Sequence, residues 1–210
     1  MKLTAKQMEK LNTELRGRQA TQEDVELITN GIKRMIEVCG RDLDAEMFES
    51  PYRIFKAFLE LTKGYAEDPK EHLNKTFDVD FSDDIVLVKD IAFNSLCAHH
   101  ALPFIGHVHI AYLPNKKVTG LSKFGRLVDG YAKRFQTQEV LSKQIGTAIE
   151  EVLDPRGVMV VITGEHMCMS LRGIEKIGSQ TTTVYASGEL ATSEMRKEVL
   201  SLIAMKKGVL

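Results

Sequence analysis

The stretch Asp84–Leu113, DIVLVKDIAFNSLCAHHALPFIGHVHIAYL, decides how this chain folds. Asp84–Ala92 is dense in Ile and Val and reads as a β-strand. Pro103–Leu113 reads as a second, with Ile105, Val108, Ile110 and Tyr112 mixing apolar faces. Between them Cys97-Ala98-His99-His100 ends one strand and begins a turn, so the two form an antiparallel hairpin. Downstream, Pro114-Asn115-Lys116 is a turn. Residues 121–132 and 136–153 carry helical periodicity through Leu127, Val128 and Tyr131, then Val140, Leu141, Ile145, Ile149 and Val152. After the Pro155-Arg156-Gly157 break come strands at Val158–Thr163 and Thr181–Tyr185, and a closing helix over 192–206.

Upstream the pattern is helical. Residues 1–20 read as a polar arm, mobile or helical. Thr21 offers an N-cap hydroxyl with Asp24 three residues on, a capping-box spacing. Val25, Ile28, Ile32, Met35, Ile36 and Cys39 then mark one helical face, which places Cys39 in the core. Gly40 stops that helix; Pro51 opens another through Ile54, Phe55, Phe58, Leu59 and Leu61 to a Gly64 stop. Antiparallel strand pairs flanking helices, without βαβ alternation, indicate an α+β fold. A small sheet of this kind has two open edges, which pairing with neighbouring subunits around a ring would cover.

Acidic (29) and basic (28) residues nearly cancel, so no global field favours nucleic acid or an anionic membrane. No apolar run approaches a membrane span, and the start lacks a signal peptide's apolar stretch, so a cytoplasmic location is expected. Three cysteines, Cys39, Cys97 and Cys168, argue for reduced thiols rather than a disulfide framework.

The chemistry lies in Cys97-Ala98-His99-His100 and His166-Met167-Cys168. Two thiols and three imidazoles form a metal-ligand set with more donors than a closed tetrahedral site needs. A Cys2His set leaves a fourth position for water, the pattern of a catalytic zinc, and the remaining histidines become candidates for proton transfer. A structural zinc, or histidines satisfied by backbone groups, is the plainer alternative. His107 and His109 share a strand face and read as solvated, and His72 as surface. Gly120-Leu121-Ser122-Lys123-Phe124-Gly125-Arg126 looks like a turn into a helix whose amides, hydroxyl and cations could hold an oxyanion. Arg172-Gly173 brings a guanidinium near the metal in sequence. Glu139, after Gln138, could accept from a guanine's N1–H and amine, or serve only as a helix-start acid.

Together these segments resemble the GTP cyclohydrolase I family over roughly residues 20–200. The resemblance rests on Ser50-Pro51-Tyr52-Arg53, Cys97-Ala98-His99-His100, Gly120-Leu121-Ser122-Lys123 with Arg126, Gln136-Thr137-Gln138-Glu139, His166-Met167-Cys168 and Arg172-Gly173. It implies a T-fold (tunnelling fold), antiparallel sheet with paired helices in a toroidal β-barrel ring. The implied assembly is a homodecamer of two pentamers with active sites at subunit interfaces. An N-terminal helical segment, 1–65, would precede the catalytic domain, 66–210. Residue by residue, the resemblance implies Zn2+ held by Cys97, His100 and Cys168, and an acid–base pair of His99 and His166. Glu139 with Gln138 would anchor the guanine. Lys123, Arg126, Arg172 and Arg53 would meet the triphosphate, with Ser122 near ribose and phosphate. The implied reaction opens the guanine imidazole ring of GTP with water, releases formate and yields 7,8-dihydroneopterin triphosphate, with no redox cofactor.

One position departs from the family. A glutamate ordinarily stands where this chain has Ala98, which can neither accept a hydrogen bond nor balance a cation. Three readings follow: a working cyclohydrolase, a form that binds zinc and GTP but stalls, and a structural zinc protein with an interaction role.

Overall fold

The computed structural model describes residues 2–15, 17, 19–79 and 84–205. The chain divides into two compact units, residues 1–67 and 68–210.

The first unit holds helices α1 (Ala5–Glu14), α2 (Gln22–Val38) and α3 (Ser50–Leu61). The Thr21 hydroxyl accepts from the Asp24 N–H, and the Asp24 carboxylate takes the Thr21 N–H at 2.8 Å, so the capping box forms as its spacing predicts. Gly40, at φ 94°, ends α2 in a pair of hydrogen bonds: its own N–H reaches the Glu37 carbonyl and that of Arg41 the Ile36 carbonyl. The polar arm takes its helical option, and Leu3, Leu11 and Leu15 pack with Val25 and Phe55 in this unit's core. Two expectations are corrected. Cys39 is exposed, not core, because it caps α2 beyond the last covered turn, where Val38 is already 70% exposed. The helix α3 stops at Leu61, and Gly64 lies buried in the 3-10 turn Lys63–Ala66 that follows.

The second unit opens with a 3-10 turn, Pro69–Leu73, and continues through β1 (Thr76–Asp78), β2 (Val86–Cys97), β3 (Pro103–Leu113) and β4 (Lys117–Thr119). Then come α4 (Ser122–Ala132), β5 (Phe135–Gln136), α5 (Gln138–Leu153), β6 (Gly157–His166), the short α6 (Met167–Ser170), β7 (Gln180–Gly188), a 3-10 turn Glu189–Ala191 and α7 (Ser193–Ala204). Residue 206, the end expected for the last helix, lies outside the described residues. The main sheet has the order β5-β2-β3-β6-β7. Both sequence-read hairpins form, and they join through an antiparallel β3–β6 pair; only the two-residue β5 runs parallel to its neighbour. The architecture is α+β.

One sheet face packs Val108, Ile110, Tyr112, Val158, Val160 and Ile162 against α4 and α5, which contribute Phe124, Leu127, Val128, Leu141, Ile145 and Ile149. The other buries Ala111, Leu113, Met159 and Val161 under Leu190 and the α7 residue Val199. The strand β2 runs five residues past its expected end at Ala92, where Phe93–Leu96 pair with Pro103–Gly106, and a bulge shifts its register between Val88 and Ile91, with Asp90 at φ 61°. That bulge corrects another expectation. His109 is only 9% exposed, and its Nδ1 accepts the Asp90 N–H at 3.1 Å; burial holds its pKa below the ordinary histidine value. His107, on the same face, is exposed, and His72 is half-buried.

Close strand approach is bought with glycine at one register position, where Gly106 of β3 faces Gly164 of β6. A Cβ on Gly106 would lie 1.9 Å from the Thr163 carbonyl oxygen, a backbone atom that cannot swing away. Gly106→Ala is therefore expected to destabilise the fold by about 3 kcal/mol. Chemical denaturation measures it, and an unchanged midpoint would refute the close approach.

Candidate functional site

Three chain passages meet at one end of the main sheet. The strand β2 delivers Cys97 as its last residue, and the chain turns back at once: the Cys97 N–H bonds the Leu102 carbonyl, and Ala101 adopts φ 55°. The strand β5 runs beside Leu96–Cys97, and the Ala98 N–H bonds the Gln136 carbonyl at 2.9 Å, which pins the start of α5 against this turn. Thr137 caps α5 through its hydroxyl, and Gln138 and Glu139 are its first residues. The third passage is the end of β6. His166 lies opposite Phe104, and α6 then starts and carries Cys168.

The result is a donor cluster. One ligand atom each from Cys97, His100 and Cys168 lies within 4.8 Å of the others. Cys97 is buried, Cys168 half-buried and His100 exposed, so the cluster opens to solvent on the histidine side. Cys97 Sγ is 4.0 Å from His100 Nδ1 and 3.7 Å from His99 Nδ1. Burial and the adjacent Cys97 sulfur push the Cys168 thiol above its ordinary pKa, while Arg172 pulls it down. Arg172 reaches the cluster from the other side, its guanidinium donating to His100 Nε2 at 3.2 Å.

His166 is held from two directions. Its ring stacks on Phe104 at 4.6 Å between centroids with an interplanar angle of 1°. Its Nε2 lies 3.0 Å from Gln138 Oε1. The Gln138 amide nitrogen donates to the Ile162 and Thr181 carbonyls, at 3.0 and 2.9 Å, which fixes its oxygen toward the imidazole. An amide oxygen only accepts, so His166 carries a proton on Nε2 and, when neutral, a free lone pair on Nδ1. Gly164 makes the room: a Cβ there would come within 3.0 Å of that same oxygen. Burial lowers the His166 pKa, and the nearby Glu139 carboxylate acts against it.

The other sequence-read residues lie as follows. Glu139 is exposed at the start of α5, whereas Gln138 is 1% exposed with its carboxamide occupied by β6, β7 and His166. Ser122, Lys123 and Arg126 lie in the first turns of α4, whose N-terminus has no side-chain cap; Ser122 and Arg126 are exposed and Lys123 half-buried. Arg53 belongs to the first unit, where it pairs with Glu49 at 2.6 Å. Two contributors went unread in sequence. Phe104 had no signal beyond an apolar strand position. Glu165, which binds Ser170 and Gly178, gains its partners only through the fold.

Comparison with known proteins gives one consistent answer. The family model described as GTP cyclohydrolase I matches residues 28–204. A GTP cyclohydrolase 1 of Clostridium perfringens is 47% identical over 87% of this chain and 99% of its own length. One from Carboxydothermus hydrogenoformans is 48% identical over 86% of this chain and 95% of its own. Another, from Campylobacter curvus, is 46% identical over 85% and 95%. With a family model spanning most of its length and relatives near half identity end to end, this chain belongs to the GTP cyclohydrolase I family of hydrolases.

Proposed function

We propose that the chain opens the imidazole ring of GTP with water, releases formate and forms 7,8-dihydroneopterin triphosphate. The observation that carries this reading is the meeting of Cys97, His100 and Cys168 beside an oriented His166, in a chain of this family. Two thiolates and an imidazole suit zinc over harder ions, and three protein donors leave a position for water. Zinc bound there supplies Lewis acidity, bringing the pKa of a water toward neutrality.

The chain's own residues do the rest. Glu139 accepts from the guanine N1–H and exocyclic amine. Lys123, Arg126 and Arg172 meet the triphosphate, with Ser122 near the ribose. His99 protonates N7 as the ring opens. His166 takes and returns a proton at Nδ1 during ribose opening, because Gln138 keeps Nε2 occupied. The buried Gln138 is thus a positioning residue rather than a guanine contact. With His100 holding a metal, its ring would no longer have a lone pair to offer the Arg172 guanidinium, and Arg172 would be available to phosphate.

The second unit is the catalytic domain, with the first as its helical segment. No helix among the described residues is long and apolar enough to cross a membrane, and we place the protein in the cytoplasm, in folate or another pterin pathway. Among the described residues, the strand β7 and most of β2 are open sheet edges. Pairing them between copies supports the T-fold ring, a decamer of two pentamers with GTP sites between subunits. A monomeric mass in light scattering would sink that assembly.

The test is turnover of GTP by zinc-loaded protein, followed by pterin fluorescence and formate together. Product is expected from the chain as it stands; GTP bound without product would favour the stalled reading. Ala98 is exposed beside the donor cluster. A carboxylate there adds a charged hydrogen-bond partner worth about 1.5–3 kcal/mol. Ala98→Glu is therefore expected to raise kcat/KM about tenfold to a hundredfold.

A further inference from the structure

Glu165 stands outside the chemistry assigned above, yet it closes the loop that carries Arg172. Its Oε1 accepts from the Ser170 hydroxyl at 2.6 Å and from the Gly178 N–H at 2.9 Å. Ser170 is the last residue of α6 and only 4% exposed; Gly178 lies just before β7. One carboxylate oxygen therefore ties both ends of the segment 171–179. That segment is exposed along its length and bends through Gly173, Glu175 and Gly178, all at positive φ. Its backbone bonds are few: Leu171 N–H to Met167, Lys176 N–H to Met169, Glu175 N–H to Arg172 and Ser179 N–H to Lys176, with the Ser170 hydroxyl 3.5 Å from the Lys176 carbonyl. A segment so sparsely held has many conformations unless its ends are fixed, and Arg172 is its second residue.

We propose that Glu165 is a positioning residue for the substrate's triphosphate, latching the 171–179 loop so that Arg172 is held ready at the donor cluster. The proposal rests on the reading that this site takes GTP. The two bonds draw the Glu165 carboxyl below its ordinary pKa, consistent with an ionised acceptor. Because both end on one oxygen, a glutamine can make them too, whereas alanine can make neither.

The test compares Glu165→Ala, Glu165→Gln and Arg172→Ala, with the Glu165→Ala/Arg172→Ala double variant, all zinc-loaded. Glu165→Ala is expected to raise KM for GTP about tenfold with kcat within about twofold, and Glu165→Gln to restore KM. In the Arg172→Ala background Glu165→Ala should add nothing, since the latch acts through that arginine. Hydrogen exchange across 171–179 should quicken in Glu165→Ala but not in Glu165→Gln. An unchanged KM, or losses that add in the double variant, overturns the proposal. Should the parent protein fail to turn over GTP, the functional reading falls, and exchange alone decides the latch: unchanged protection in Glu165→Ala refutes it.

Discussion

Cys168→Ser is expected to abolish stoichiometric zinc binding and to cut formate release at least about a thousandfold, while the fold survives. The serine hydroxyl is a poor, protonated donor beside a thiolate, so the cluster drops to Cys97 and His100. Cys168 sits on a four-residue helix at the sheet's end and only fringes the main core, whose buried residues run from Leu73 to Ile162 through the sheet, α4 and α5. Folding is thus expected to proceed without the metal. Zinc content by mass spectrometry, far-UV circular dichroism and formate assay decide the matter together. The melting temperature of the variant should match that of the zinc-stripped parent, because both lack the ligand's mass-action stabilisation. Collapse of the fold in the variant would instead support a structural metal. Undiminished turnover would remove Cys168 from the site.

What the sequence made readable, and what it hid, follows from the range of each interaction. The Thr21–Asp24 capping box and the Pro103–Leu113 strand were legible to the residue, because their causes are local: a hydroxyl three positions from a carboxylate, and a bounded apolar run. The end of β2 was not, since a bulge at Asp90 breaks the alternation that a strand is read by. Short β1, β4 and β5 span only two or three residues, too few for an alternation to be read, and form as partners of other strands. His109 looked solvated because strand alternation shows which residues share a face, not how much of that face another element covers. The donor set was legible because thiols and imidazoles clustered in two places are rare and chemically specific. The second layer was not. Gln138 and Glu165 are ordinary polar residues whose roles depend on Ile162, Thr181, Ser170 and Gly178, groups brought beside them by β6, α6 and β7. Nothing near Gln138 in sequence says that its amide is committed to two carbonyls and an imidazole.

That commitment makes the second large expectation specific. His166→Ala should lower kcat about a thousandfold with zinc content unchanged, since the imidazole is outside the donor cluster and removes a proton carrier rather than a ligand. The tautomer argument sharpens this. Gln138→Leu keeps the side-chain volume near that of glutamine but takes away the acceptor that holds the proton on Nε2. It also leaves the Ile162 carbonyl, and one bond to Thr181, without their amide donor. Both tautomers of His166 then become populated, and only one offers the Nδ1 lone pair. With the ring's orientation lost as well as its tautomer, the loss in kcat for Gln138→Leu should be intermediate, about tenfold to a hundredfold, with KM for GTP little changed. A direct guanine contact predicts the opposite split, a raised KM with kcat preserved. Steady-state kinetics on both variants, with nitrogen chemical shifts of the His166 ring in parent and Gln138→Leu protein, separates the two. A parent ring protonated on Nδ1 alone would show that the proton is exchanged at Nε2, against the hydrogen-bond arrangement described above.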